Sequence, residues 1–323
     1  MNAPVTAPAA SAPTHTARPI PGHIRILSDG RPGHENQSIG LAEAIARRTG
    51  ATWECQRLPD VAGPPGRWWA GLRMGQARPD LLIGTGHKTH LALWLAARRF
   101  RARSVVILKP TWPVWLFDLC LIPEHDLPTG QIPRCVVPIR GALNRIPEQL
   151  PPKQPRGLIL LGGPSRSHGW AGEDLIKCIR EIMDARSDLT WAAADSRRTP
   201  DGFLNRLVSN LPRLRALPRK ETSSQRLLEH LLVSEEVWVT ADSISMAFEA
   251  VTAQARVGLL PAPVYDASSG PARALLSLVS SGHAIFFATW RSRGRTLPPP
   301  HPLHETARCA QLVLTRLFPT AGS

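Results

Sequence analysis

Short apolar runs of strand length alternate with helical patterns along most of the 323-residue chain. This alternation is typical of parallel β-sheets that helices cover, so the sequence predicts an α/β fold. In the first half we predict strands near 23–28, 52–57, 80–84, 104–108, 118–122 and 134–137, with helices near 36–49 and 88–100.

A stretch with four prolines and no apolar periodicity, at 147–156, interrupts this pattern and indicates a linker. The second half then resumes the same rhythm. Its clearest helix lies near 172–186, where the apolar residues form one stripe. We predict further strands near 157–161, 189–193, 213–217, 236–240 and 256–260, and further helices near 200–209, 223–232, 243–253, 271–281 and 303–318.

Chain length also favours two domains, because single hydrophobic cores stop growing near about 250–300 residues. The first 22 residues are rich in Ala, Pro and Thr and have neither a basic start nor an apolar core, which predicts a disordered tail and no secretory signal. The expected division is a tail at 1–22, an N-terminal Rossmann-like domain at 23–147, a linker at 148–156, a C-terminal Rossmann-like domain at 157–302, and a helix and tail at 303–323.

Composition narrows the class of protein. No apolar run approaches the roughly 18 residues that a membrane helix needs. The five cysteines are scattered and form no C-x-x-C pair, so we expect neither disulfides nor a zinc site, and a cytoplasmic protein. The net charge of +14 favours anionic partners, but the basic residues are dispersed and form no nucleic-acid motif, so we expect no nucleic-acid partner.

Polar turns follow three predicted strands of the second half, where ligands of α/β sheets bind. Glycines let a ligand approach the backbone, arginines suit a diphosphate, and free N–H groups at a helix start hold phosphate. Glu249, about two turns into the helix predicted at 243–253, would accept hydrogen bonds from sugar hydroxyls. Tight turns, surface arginines and ordinary capping are the alternatives. The turns therefore predict an anion-binding site, which comprises Gly162, Gly163, Ser165, Arg166, Arg197, Arg198, Asp242, Ser243, Ser245 and Glu249.

The turn "DGRPGHENQ" at 29–37 is the matching feature of the first half. Gly30 and Gly33 would let another molecule approach the backbone. His34, at the head of a predicted helix, is a general-base candidate, with Glu35 to orient it and Asp29 to contact a sugar hydroxyl. The alternative is that His34 only caps its helix.

Two further turns of the first half carry polar residues that could line the same cleft. The segment "GTGHKTH" at 84–90 contains His87, and "FDLCLIPEHD" at 117–126 ends in Glu124, His125 and Asp126. None of these spacings is that of a closed metal site, so we expect no metal.

Six segments together resemble the plant mitochondrial-fission protein of the elongated-mitochondria type and its bacterial relatives. They are "DGRPGHENQSIGLAEA", "FDLCLIPEHD", "GGPS", "SRRTP", "VTADSISMAFEA" and "PLHETARCA". The resemblance implies a two-domain glycosyltransferase fold of the GT-B type. Bacterial members of this family are described as glycosyltransferases, and one group is linked to lipopolysaccharide outer-core assembly. It also implies a nucleotide-sugar donor in the second domain and an acceptor in the first. The turn at Gly30, Gly33 and His34 is similar to the glycine-rich loop of the murein-pathway N-acetylglucosaminyl transferase.

The predicted function is therefore metal-independent transfer from a nucleotide-diphosphate sugar, without a cofactor, to a cell-envelope glycan or lipid-linked acceptor. The alternative is a non-catalytic nucleotide-sugar-binding or scaffold protein, because activity follows sites and not folds. A nucleotide-sugar epimerase is weaker, since the first turn lacks G-x-G-x-x-G and the only tyrosine, Tyr265, has Ser269 four residues on.

Peripheral contact with an anionic inner membrane is a further expectation. The surface is basic, and Trp68 and Trp69 are of the exposed type that can insert at an interface. For Trp112 and Trp115 we predict burial in aromatic packing.

Overall fold

The computed structural model describes residues 20–58, 77–127 and 130–319. Over these ranges the chain forms two six-stranded sheets, and all hydrogen-bonded strand neighbours are parallel. The predicted α/β class is therefore confirmed. Residues 1–19 of the predicted disordered tail, and the predicted membrane contact of Trp68 and Trp69, lie outside the described residues. The end of that tail, at 20–22, is not disordered as predicted, because the backbone N–H of Gly22 donates to Oδ2 of Asp80 at 2.9 Å.

The first sheet is built from strands of the first half of the chain, and His23–Ser28 lies next to one edge strand. Ile26 of this strand lies opposite Cys55 on one side and Ile83 on the other. The strands are β1 (His23–Ser28), β2 (Thr52–Arg57), β3 (Leu81–Thr85), β4 (Arg103–Ile107), β5 (Leu119–Pro123) and β6 (Val136–Ile139), in the order β2-β1-β3-β4-β5-β6.

The second sheet repeats this plan. Its strands are β7 (Gln154–Leu160), β8 (Thr190–Ala194), β9 (Leu214–Leu217), β10 (Ser234–Thr240), β11 (Arg256–Leu260) and β12 (Ala284–Phe286), in the order β12-β11-β10-β7-β8-β9. Strand β7 begins inside the predicted linker, because Gln154 already pairs with Ser234.

Helices connect the strands and cover both faces of each sheet. Those of the first half are α1 (Pro32–Thr49) and α2 (His90–Phe100). The others in the described part of the chain are α3 (Gly172–Ala185), α4 (Phe203–Asn210), α5 (Ser224–Val233), α6 (Ile244–Thr252), α7 (Gly270–Ser280), α8 (Phe287–Ser292) and α9 (Glu305–Leu317). None of these described helices combines the length and apolarity needed to cross a bilayer.

Apolar stripes explain why the helices settle where they do. In α3, Leu175, Ile179 and Ile182 are buried in one core cluster with Ile159 of β7, as the periodicity predicts. On the first sheet, α1 and α2 cover opposite faces. The sheets are thus buried on both faces, which is why their strands are nearly continuous apolar runs.

The last helix returns to the first half of the molecule. Ala310 and Val313 of α9 are fully buried in the same core cluster as Ile24 and Leu41. Glu305, at the start of α9, accepts a hydrogen bond from the backbone of Arg140 at 2.9 Å. The first core is therefore completed by residues that follow the second sheet in sequence.

Two further features differ from the predictions. Strand β12 and helix α8 were not predicted, because 284–290 is one apolar run with no turn residue to separate them. Trp115 was predicted to be buried, yet its side chain is 74% exposed. Trp112 does pack in an aromatic cluster, with its ring 6.5 Å from those of His90 and Trp94.

Candidate functional site

The turn between β1 and α1 holds a histidine against a buried carboxylate. His34 Nδ1 lies 2.9 Å from Asp29 Oδ2, and the side chain of Asp29 is fully buried while that of His34 is 19% exposed. Because an ionised carboxylate only accepts hydrogen bonds, the neutral imidazole carries its proton on Nδ1. The lone pair on Nε2 of His34 is then available to take a proton.

A glycine just after the neighbouring strand β3 makes room for the His34–Asp29 pair. Gly86 follows β3 with φ of 85°, and a Cβ there would lie 2.6 Å from Cε1 of His34 and 3.3 Å from Oδ2 of Asp29. Any larger residue would therefore displace the imidazole as well as strain the backbone. The predicted cleft residue His87 comes next and is exposed.

The predicted orienting role of Glu35 is wrong. Its carboxylate accepts a hydrogen bond from Ser28 at 2.5 Å, and Ser28 also accepts one from the backbone of Gly30 at 2.9 Å. Glu35 therefore stabilises the turn, and Asp29 contacts the imidazole. Gly33 has open space around its Cα, whereas Gly30 has φ of 75° and lies beneath the Arg57 side chain.

The turns of the second half converge on one buried carboxylate. Asp242, whose side chain is fully buried, accepts a hydrogen bond from the backbone of Gly163 at 2.9 Å and pairs with Arg198 at 2.7 Å. Arg198 also donates to the carbonyl of Gly163 at 2.8 Å. A Cβ at Gly162 would overlap the Asp242 carboxylate. Four predicted site residues therefore form one structural unit at the carboxyl edge of the sheet.

This unit changes the predicted roles of two residues. Arg198 is engaged by Asp242 and so organises the turn, although we predicted that it would face a diphosphate. Asp242 does not cap α6, because the residue that precedes the helix is Ser243, which forms no side-chain cap bond. Ser245 lies in the first turn of α6 and is partly buried.

Unengaged polar groups remain beside that unit. Arg166 and Arg197 are exposed, and within the described ranges neither forms an ion pair. Ser165 accepts hydrogen bonds from the backbone of Ser167 and His168, so its loop is ordered by its own residues. These two exposed guanidinium groups are therefore available to an anion at this edge.

One hydrogen bond joins the two halves of the candidate site. Asn36 Nδ2 donates to Oε1 of Glu249 at 2.6 Å, across 213 positions of sequence. Asn36 lies two residues beyond His34 on α1, and Glu249 lies on α6, which begins after Ser243. Sequence reasoning missed Asn36, because no local spacing marks a contact at this separation.

The environment of Glu249 makes its charge sensitive to pH. Burial raises the pKa of Glu249 to about 7, and the hydrogen bond from Asn36 opposes that rise. The free glutamate value is about 4.3, so between these values the unfolded chain has lost a proton that the folded chain retains. Folding stability therefore falls as pH rises through this window, by up to about 3 kcal/mol.

We expect Glu249→Gln to remove this dependence while keeping an oxygen that accepts from Asn36. The excess stability of the parent over the variant should decrease by up to about 3 kcal/mol between pH 4.5 and pH 7.5, measured by urea unfolding. The exposed Glu221→Gln variant is the control and should show no such change. An excess that stays constant would contradict the raised pKa.

The third predicted turn faces the second half. Asp126 lies 3.6 Å from Arg273 on α7, and a Cβ at Gly270 would lie 3.6 Å from the ring of His125. Burial lowers the pKa of His125, and the charge of Arg273 adds to this, whereas Asp126 and Glu124 oppose it. The 3₁₀ turn Glu124–Asp126 is therefore part of the contact between the halves.

Two parallel six-stranded sheets, with polar turns at their carboxyl edges, define a GT-B-like fold. The chain belongs to the Mitochondrial fission ELM1 family, whose model matches residues 32–317. The family resemblance seen in the sequence motifs is thereby confirmed.

Three individual proteins are similar to this chain in sequence or in fold. An uncharacterized protein of Rickettsia prowazekii, RP120, is 22% identical over 287 residues, which cover 71% of this chain and 80% of that protein. UDP-GlcNAc 2-epimerase from Neisseria meningitidis bound to UDP-GlcNAc is similar with a TM-score of 0.56 and 11% identity, over 92% of this chain and 100% of that one. Acinetobacter baumannii MurG is similar with a TM-score of 0.50 and 12% identity, over 91% and 100%. At these identities the two structures establish the fold alone.

Proposed function

We propose that this protein transfers a sugar from a nucleotide-diphosphate sugar to a cell-envelope glycan or lipid-linked acceptor, without a metal ion. The observation that carries the proposal is the hydrogen bond between Asn36 and Glu249. It connects the helix that bears His34 to the helix that begins at Ser243. A general base and a phosphate-binding helix start on opposite sides of one cleft are the groups that sugar transfer requires.

The chemistry assigns a role to each side of the cleft. His34 Nε2 takes the proton of the acceptor hydroxyl, the freed oxygen attacks the anomeric carbon, and the bond to the diphosphate breaks. The nucleotide diphosphate leaves with the bonding electron pair. Its charge is met by Arg166, Arg197 and the N–H groups at the start of α6, each donor contributing about 3–4 kcal/mol in favourable cases.

The buried carboxylate of Asp242 does not oppose this role. Its charge is neutralised by Arg198 at 2.7 Å, so a diphosphate nearby meets an ion pair and not a lone negative charge. Within the described residues, Oδ1 of Asp242 has no hydrogen-bond partner although it is buried.

Calorimetric titration with uridine, thymidine, guanosine and cytidine diphosphate sugars tests the proposal. We expect one nucleotide class to bind and Arg197→Gln to weaken that binding by about tenfold or more, because a charge-assisted hydrogen bond contributes about 1.5–3 kcal/mol. Arg99→Gln, an exposed arginine on α2, is the matched control and should bind as the parent does.

Analysis of the reaction products, with the nucleotide-sugar class that binds as donor, distinguishes a transferase from a scaffold protein and from an epimerase. Release of free nucleotide together with a glycosylated acceptor is the expected result. Binding without turnover with every acceptor would favour a scaffold protein. Interconversion of the sugar without nucleotide release would favour an epimerase, because this fold is shared with UDP-GlcNAc 2-epimerases. If no nucleotide sugar binds, the proposal is wrong.

Membrane attachment belongs to the same proposal. A lipid-linked acceptor would require contact with an anionic surface, and the net charge of +14 favours it. The exposed Trp115 adds an aromatic side chain of the kind found at membrane interfaces.

A further inference from the structure

A cavity of about 300 Å³ lies between the two halves, with a lining that includes neither His34 nor the glycines of the Gly162–Gly163 turn. From the first half it is lined by Glu124, His125 and Arg140. Strands β5 and β6 end at this point, so these residues lie at the carboxyl edge of the first sheet. The opposite wall is formed by residues of α6 and α7, by Ser281 and His283 between α7 and β12, and by Leu303.

The charges in the cavity compensate one another. Arg140 Nε lies 3.7 Å from Oε1 of Glu124, which is too long for a hydrogen bond, and both side chains are more than half exposed. Each therefore retains hydrogen-bonding capacity toward a ligand. An anion would be repelled by Glu124 and a cation by Arg140, so this lining favours an uncharged ligand.

Two imidazoles and two hydroxyls add polar groups without adding net charge. Burial lowers the pKa of both His125 and His283, so these rings are neutral at pH 7. For His283, the neighbouring His301 and Arg140 add to this effect. His283 Nδ1 is hydrogen-bonded to the hydroxyl of Ser281 at 2.8 Å, which leaves Nε2 of that ring for a ligand. Ser277 and Ser281 line the same wall.

The rest of the lining is apolar. Phe248 of α6 packs over Gly141, where a Cβ would overlap the ring, and it lines the cavity beside Leu278 and Leu303. An uncharged ligand that meets this surface needs one apolar face and a rim of hydroxyl groups. A pyranose ring has this chemistry, because its C–H groups form a face and its hydroxyls project from the edge. The volume is at the lower end of the range of about 300–1,000 Å³ for small-molecule sites.

The position of the cavity distinguishes it from the site of transfer. His34 follows β1 and His125 follows β5, and these strands are separated by β3 and β4. Three strand spacings correspond to about 14 Å across the sheet. A sugar ring held in the cavity is therefore not the ring whose hydroxyl His34 would deprotonate.

We propose that this cavity binds a neutral sugar residue of an oligosaccharide acceptor, at a distance from the hydroxyl that reacts. The acceptor role rests on the proposed function, whereas sugar binding itself requires neither a nucleotide nor turnover. The prediction that Glu124 and His125 line the cleft is thereby extended to Arg140, Phe248 and Ser277. The protein would then select its acceptor by the sugar residue bound in the cavity as well as by the sugar residue that reacts.

The test applies the full chain, without any nucleotide, to an array of immobilised neutral and anionic oligosaccharides. We expect binding to a subset of the neutral oligosaccharides. Ser277→Phe should fill the cavity and weaken that binding by about tenfold or more, equivalent to about 1.4 kcal/mol. Ser280→Phe is the matched control, since Ser280 lies one turn further along α7 and does not line the cavity. Arg140→Gln should also weaken binding.

His34→Ala should bind the same oligosaccharides as the parent does, which separates this inference from the proposed transfer. Loss of transfer with retained, Ser277-dependent binding would leave the cavity assignment standing. The assignment is overturned if no neutral oligosaccharide binds, if only anionic ones bind, or if Ser277→Phe and Ser280→Phe weaken binding equally.

Discussion

Replacing His34 with alanine is expected to slow sugar transfer by about 10²–10⁴-fold, which is the usual contribution of a positioned general base. Binding of the nucleotide sugar should change little, because His34 lies on the first half and the donor site on the second. The measurement is the rate of nucleotide release at saturating donor and acceptor, together with calorimetry of donor binding. A variant that transfers as fast as the parent would show that His34 is not the base.

A substitution of Asp29, the hydrogen-bond partner of His34, extends this experiment. Asp29→Asn keeps the size of the side chain, but its amide can donate to Nδ1 and so favour the tautomer with the proton on Nε2. We expect a loss of rate comparable to that of His34→Ala, and little further loss in the double variant, because the two groups act as one unit. Glu35→Gln is the control, since Glu35 contacts Ser28 and not the imidazole. Additive losses would argue against the pair.

Gly163→Ala is expected to have the largest effect on stability. A Cβ at this position would overlap the backbone carbonyl of Arg198, and neither strand-end turn can move without breaking the Asp242–Arg198 pair. Overpacking, together with a weakened ion pair between the buried Asp242 and the partly exposed Arg198, should cost about 3 kcal/mol. Urea unfolding and calorimetry with the nucleotide sugar should show loss of stability and loss of donor binding together.

Gly22→Ala is the matched control for that variant. A Cβ at Gly22 would meet only Oδ2 of Asp80 at 3.5 Å, which is ordinary van der Waals contact, and the backbone there has no positive φ. We expect its stability to stay within about 0.5 kcal/mol of the parent. Equal losses in both variants would mean that the fold resists any added methyl group, and that the Gly163 turn has no special role.

The comparison of Asp29 with Glu35 shows where sequence reasoning reached its limit at the site. Both carboxylates are close to His34 in sequence, and either could have contacted its ring. The helix begins at Pro32, which places Glu35 in its first turn toward Ser28 and leaves Asp29 in the turn, opposite the imidazole. The choice depends on a helix boundary, which residue types predict only approximately.

The sequence by itself determined the class of fold and the family. Apolar periodicity and turn residues are local properties, so they placed the strands of the first sheet and five strands of the second, and the motifs at their ends marked the residues that the fold brings to the carboxyl edges. Only the tertiary structure decided which of those residues meet. Asn36 with Glu249, Arg198 with Asp242, and α9 with α1 are contacts between distant parts of the chain. Such contacts depend on the packing of whole layers, and no local pattern encodes them.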